Sequence, residues 1–254
     1  MPLEADVPPI AGLTYRLFAR AGKRYLRKHF RSVMAQRTTL LEKTPLPLVV
    51  YGNHSSWWDP MLAVFLARHF LPHRQHYTPT SAATLRRYPI LGKIGLFPTE
   101  SHSAAGIAHF LRTSEAILKQ GSVLWIRPQG RFADTREHPL RFTPLLALLA
   151  QRMPGLTLLP FATEFTYWDE RLPEALVRFG DPVMIGDNHA PDAVTHELER
   201  ALATTMLELQ HASTLRDASQ FHTLLTGTRG TGGAYGALQR LRLGQRSLDH
   251  TARR

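Results

Sequence analysis

Leu48-Val49-Val50-Tyr51-Gly52-Asn53-His54-Ser55-Ser56-Trp57-Trp58-Asp59-Pro60 carries the chain from an apolar run, through a polar corner, to the start of a second apolar run. Residues 45–51 are short, apolar and partly β-branched, which predicts a buried strand. Asp59 and Pro60 put a carboxylate at a helix N-cap and a proline at the first helical position, and residues 61–71 are apolar, so a helix starts at Asp59. His54 and Asp59 then stand five positions apart at a strand-to-helix corner. That spacing suits a base and its orienter, but such pairs also arise by chance, and Asp59 would serve equally as a plain helix cap.

Outward from this corner the elements alternate. After the helix at 60–71, a short strand is expected near 75–77 and a helical turn at 82–88. Residues 103–119 place Ile107, Phe110, Leu111, Ser114, Ile117 and Leu118 on one helical face and stop at Gly121. A strand at 122–126, a helix from Thr143 through Ala150, and strands at 156–162 and 175–179 follow. Val194, Leu198, Ala201, Leu202, Thr205 and Leu209 mark a last amphipathic helix. Repeated β-α alternation predicts an α/β fold with a largely parallel central sheet flanked by helices. Sites in such sheets lie beyond the strands' carboxyl ends, where His54 and Gln129-Gly130-Arg131 both fall.

Asn53-His54-x4-Asp59-Pro60 behind a hydrophobic strand resembles the first signature block of the glycerolipid acyltransferases, the superfamily of lysophosphatidic-acid acyltransferases. The resemblance extends over residues 45–185. Pro89-Ile90-Leu91-Gly92-Lys93-Ile94-Gly95-Leu96-Phe97-Pro98-Thr99-Glu100 is similar to the second block, with Ser101 where the family places an arginine. Val123-Leu124-Trp125-Ile126-Arg127-Pro128-Gln129-Gly130-Arg131 is similar to the third, with Gln129 in place of a glutamate and Phe132 in the usual arginine slot. Leu158-Leu159-Pro160-Phe161-Ala162 looks like the fourth.

The resemblance implies that His54, oriented by Asp59, takes the proton of an acceptor hydroxyl as it attacks an acyl thioester, without an acyl-enzyme. Ser55 is a poor nucleophile candidate, since no Gly-x-Ser-x-Gly pattern surrounds it. The resemblance also implies that Asn53, Gly95, Phe97, Pro98, Arg127, Gln129, Gly130 and Arg131 bind substrate. In the family the arginines of the second and third blocks hold the acceptor's phosphate, and serine and phenylalanine offer no guanidinium fork. Arg127, Arg131 or Arg136 would have to reach it from shifted positions. The Pro-Gln-Gly form, with residues 167–174 downstream, resembles a bacterial branch associated with lyso-lipid, glycolipid or carotenoid-glycoside acceptors. No cofactor is expected; the co-substrate is acyl-CoA, with Arg86, Arg87 or Lys93 near its phosphates, or acyl carrier protein.

The chain has 254 residues, with 31 Lys+Arg against 20 Asp+Glu, a formal net charge of +11, and no cysteine. That balance points to anionic membrane, phosphorylated substrates or nucleic acid, and the missing cysteine excludes disulfides, zinc–thiolate sites and thiol nucleophiles. Residues 12–36 read as a basic amphipathic helix. Leu13, Leu17, Ala21, Tyr25 and Val33 form one row, Phe18, Leu26, Phe30 and Met34 the row beside it. Arg16, Arg20, Lys23, Arg24, Arg27, Lys28 and Arg31 cover the opposite face, without an acidic residue from Val7 to Leu41. Such a helix packs on the core, or lies on anionic lipid, or does both. No run approaches the length of a spanning helix and no signal peptide is evident. The expected location is the cytoplasmic face of a membrane, peripherally or monotopically bound.

Three segments follow: a membrane-associating helical segment at 1–40, an α/β acyltransferase domain at 41–212, and a Gly-rich, basic, mobile tail at 213–254. The run Gly230 to Gly236 fits no nucleotide loop and reads as linker. His73 and His76, the one close histidine pair, read as a loop feature without further metal ligands. Trp57 and Trp58 suit core, interface or acyl-groove roles, with core expected for at least one. Two other classes compete. A nucleic-acid binder would explain the charge but lacks zinc-finger or aromatic RNA-binding patterns, and a lipid-binding pseudoenzyme would explain the altered blocks.

Overall fold

The computed structural model describes residues 7–186 and 190–228. Its elements are α1 (Gly12–His29), β1 (Ser32–Gln36), α2 (Thr38–Lys43), β2 (Leu48–Gly52), α3 (Asp59–Phe70), β3 (His76–Ser81) and α4 (Ala82–Arg87). A 3-10 turn (Pro89–Ile94) leads to β4 (Leu96–Thr99), α5 (Ala104–Lys119), β5 (Val123–Ile126), α6 (Leu145–Arg152), β6 (Thr157–Thr166), β7 (Glu174–Phe179), β8 (Val183–Met184), α7 (Pro191–Thr214) and β9 (His222–Thr226). The nine described strands form one sheet in the order β4-β3-β5-β2-β6-β7-β1-β9, with β8 on β6. Most of its ladders are parallel; β6–β7, β6–β8 and β1–β9 are antiparallel. This is the expected α/β class.

β2 lies between β5 and β6, all five of its residues buried. Alternation sends Val49 and Tyr51 into the core under α5, α6 and α7, and Leu48 and Val50 into the core under α1, α2 and α3. A strand covered on both faces needs apolar residues at every position, which is why residues 48–51 run apolar without a break. The corner that follows emerges at the carboxyl edge of the middle of the sheet.

Three expectations need correction. α1 ends at His29, and residues 32–36, read as its continuation, form β1, parallel to β7. Val33 and Ala35 enter one core and Met34 the other, a period-two burial that no helix provides. Of the two apolar rows of α1, the second is buried through Leu26, but the row of Leu13, Leu17, Ala21 and Tyr25 is not the face it buries. Tyr15, Gly22 and Leu26 point inward, while Leu13, Leu17 and Tyr25 are exposed. Gly22 lies close against α3, where a Cβ would stand 3.3 Å from Met61 Cγ. Finally, part of the stretch expected as tail belongs to the sheet: α7 reaches Thr214, β9 pairs with β1, and Gly227 and Thr228 donate to the carbonyls of Arg31 and Arg27. Residues 230–236 lie outside the described residues.

Candidate active site

β2 ends at Gly52, and the next two residues turn in opposite senses. Asn53 is buried and clamps β6: its Nδ2 donates to Thr163 O (3.0 Å) and its Oδ1 accepts from Thr163 N (2.8 Å). His54 is turned toward the surface, its side chain 19% exposed. The loop from His54 to Trp58 then wraps around the carboxylate of Asp59.

Asp59 is wholly buried, and it is the first residue of α3 rather than its cap; Trp58 holds the N-cap position. The carboxylate turns back into the loop instead of capping the helix. Its Oδ2 accepts from Ser55 N (2.9 Å), Ser56 N (2.8 Å) and His54 Nδ1 (3.0 Å). Oδ1 takes the hydroxyl of Thr163 at 3.1 Å. Burial pushes the Asp59 pKa up, but the charge of Arg127, the His54 bond and the Ser56 N–H together hold it below the ordinary carboxylate range. An ionised carboxylate only accepts, so Nδ1 of His54 carries a proton and Nε2 is the nitrogen left to exchange one with a substrate. Nε2 has no hydrogen-bond partner among the described residues.

The residues of the third block gather at this corner, largely from beneath. Arg127 donates to the carbonyls of Asn53 and, at 3.5 Å, Asp59, with its guanidinium 4.4 Å above the Phe161 ring. Burial lowers the Arg127 pKa and the opposite charge of Asp59 raises it. Gly52 makes room for this arrangement, because a Cβ there would stand 2.6 Å from Arg127 Nη1 and 2.5 Å from Phe161 O. Gln129 is buried: its Oε1 accepts from His54 N (3.2 Å) and its Nε2 donates to Leu140 O (3.3 Å). A glutamate could not make the second bond, which accounts for the amide. Gly130 adopts φ +66° in the turn that follows. Arg131 is exposed and forks onto Glu137. Phe132 lays its ring beside His54, centroids 4.2 Å apart, and Ala133 N donates to His54 O at 2.8 Å.

Other expected site residues lie elsewhere. Gly95, Phe97 and Pro98 precede or belong to β4, three strands along from β2, a separation of roughly 14 Å at ordinary strand spacing. Phe97 is fully buried and stacks on Phe110 rather than turning to an opening. Gly95, at φ +97°, approaches His76 O so closely that a Cβ would stand 2.3 Å from it. Trp58 packs among Tyr25, His29 and Phe30, while Trp57 is 63% exposed. His76 is no loop residue: it opens β3, buried, donating from Nε2 to Leu71 O (2.9 Å) and accepting Trp125 Nε1–H at Nδ1 (3.2 Å). No cluster of potential metal ligands occurs among the described residues. A cleft of about 280 Å³ between Arg37, Asp181 and α7 excludes all of these groups. Thr163 and Gly52 escaped the sequence reading; a hydroxyl closing the apolar run 158–162 was the available signal for the first.

An imidazole whose Nδ1 is held by a buried carboxylate, at the carboxyl end of a central strand, has the arrangement needed to accept a proton from an attacking hydroxyl at Nε2. Residues 35–164 match the acyltransferase family, and the chain belongs to it. Similar solved structures include the 1-acyl-sn-glycerophosphate (LPA) acyltransferase, PlsC, from Thermotoga maritima, at 16% identity and a TM-score of 0.56 over 77% of this chain and 80% of that one. Among curated proteins none matches the chain.

Proposed function

We propose that this acyltransferase moves a fatty acyl chain from an acyl thioester, acyl-CoA or acyl carrier protein, to the hydroxyl of a lyso-lipid. The observation that carries the reading is His54: Nδ1 tied to Asp59, Nε2 unpartnered on a partly exposed ring. Nε2 takes the hydroxyl proton as the oxygen attacks the thioester carbonyl. Collapse of the tetrahedral intermediate breaks the C–S bond, and the imidazolium returns the proton to the leaving thiolate. Asp59 stabilises that imidazolium from its buried seat. Asn53, Arg127 and Gln129 support the base, and Gly130 and Arg131 shape the approach. Arg86, Arg87 and Lys93, all exposed, are available to donor phosphates.

Lipid supply fits the exposed side of α1. Leu13 (63% exposed), Leu17 (55%), Tyr25 and the neighbouring Trp57 stand among the exposed Arg16, Arg20, Lys23, Arg24, Arg27 and Lys28. Apolar side chains interleaved with cations suit the boundary of an anionic bilayer, at the cytoplasmic face of a membrane. Arg31, expected in this set, lies beyond the helix and pairs with Glu170. No helix among the described residues is long and apolar enough to cross a membrane. Replacing His54 by alanine should lower thiol release from acyl-CoA by roughly a thousandfold or more while the fold survives. A variant as fast as the parent would remove His54 from the chemistry.

A further inference from the structure

The loop from β5 to α6, residues 127–144, forms the lip of the site through Ala133 N on His54 O and through Phe132. Phe132 is 58% exposed, so an aromatic face looks outward directly beside the base. Three of the loop's four arginines are engaged by protein groups. Arg127 lies beneath, on the carbonyls of Asn53 and Asp59. Arg131 forks onto Glu137, and Arg136 onto Asp134 through Nε (2.9 Å) and Nη2 (2.8 Å). Arg141 is exposed, and its charge helps the Arg131 bond to hold the Glu137 pKa below the ordinary carboxylate range. A phosphate placed next to the reacting hydroxyl would meet an apolar ring in a lip that also carries two carboxylates. The ring beside His54 offers no guanidinium fork to replace the hydration the phosphate would shed.

We propose that Phe132 selects an acceptor whose reacting hydroxyl belongs to an uncharged headgroup, a sugar or a glycerol. The C–H face of that headgroup rests on the ring, which offers contact area without a charge to desolvate, and its hydroxyl reaches Nε2 of His54. This assignment rests on the acyl-transfer reading and narrows its substrate.

The test uses the full chain with acyl-CoA and three acceptors: an alkyl glucoside, a monoacylglycerol and lysophosphatidate. Thiol release and product mass are followed together. At least one neutral acceptor should exceed lysophosphatidate in kcat/KM by roughly tenfold or more, and the two neutral arms separate sugar from glycerol. Phe132→Ala should raise KM for the better neutral acceptor by roughly three- to tenfold with little change in kcat, and Phe132→Tyr should restore it. Phe132→Arg should shift preference toward lysophosphatidate by roughly tenfold or more. Circular dichroism checks that the variants fold. Preference of the parent protein for lysophosphatidate, or an unchanged KM in Phe132→Ala, overturns the assignment; if His54→Ala is still dead, acyl transfer by His54 survives that failure. Acylation of none of the three overturns the assignment too, and thiol release indifferent to His54 overturns the broader reading.

Discussion

At the residue scale the decisive unit is Asp59, which gathers two backbone N–H groups, an imidazole and a hydroxyl around one buried carboxylate. Thr163 Oγ1 also lies 3.3 Å from Asn53 Oδ1, but its single proton goes to the nearer and charged acceptor. Asp59→Asn keeps the shape and removes the charge. It should lower kcat by roughly 10³–10⁴-fold, because the imidazolium loses its stabiliser. It should also cost about 1–3 kcal/mol of stability, since the buried donors around the carboxylate lose a charged acceptor. Thiol-release rates and urea unfolding check the two parts separately. His54 and Asp59 were legible in the sequence because both belong to one short corner. Thr163 and Gly52 were not, because their roles exist only once β6 and Phe161 lie against β2. Arg127 is one of three arginines the sequence offers for a phosphate, and it lies beneath the corner instead; position along the chain does not tell which side of a strand end a residue takes.

Among the elements, β3 carries a pH-sensitive group. Burial lowers the pKa of His76 to about 4, with Arg68 acting in the same sense and the bond to Leu71 O acting against it. Unfolding returns the ring to its ordinary value of 6.5. The unfolded chain therefore takes up a proton that the folded one refuses, and stability held above pH 6.5 is lost progressively down to about pH 4. The loss should approach about 3 kcal/mol, read as a fall in urea midpoint between neutral and acid pH, and His76→Gln should flatten that slope. Strong local signals made most elements readable: the apolar run of β2, the single apolar face and Gly121 stop of α5, the long period of α7. β1 was missed because Val33 and Met34 extend the spacing of the helix before them. Their strand conformation comes from pairing with β7, some 140 residues later.

The whole molecule presents one side where α1, Trp57 and the His54 corner come together, with Tyr25 and Trp57 in edge-to-face contact at 6.3 Å. If this side rests on lipid, changing Leu13 and Leu17 to glutamate should weaken binding to phosphatidylglycerol vesicles by roughly tenfold or more. Turnover of a water-soluble acceptor should be unaffected, and vesicle sedimentation with a parallel rate assay measures both. Equal binding by parent and variant would exclude this side as the contact. The +11 charge points to an anionic partner but does not tell that the leucines of α1 stand among its cations; that placement follows from Tyr15, Gly22 and Leu26 facing inward. The pairing of β1 with β9 has a bearing on biogenesis. Among the described strands β1 is made first and must wait for β9, made last, so until then its outer edge is open to any other extended chain. Only when residues 222–228 arrive is that edge sealed and the lower end of α1 fastened, after every other described strand has been made.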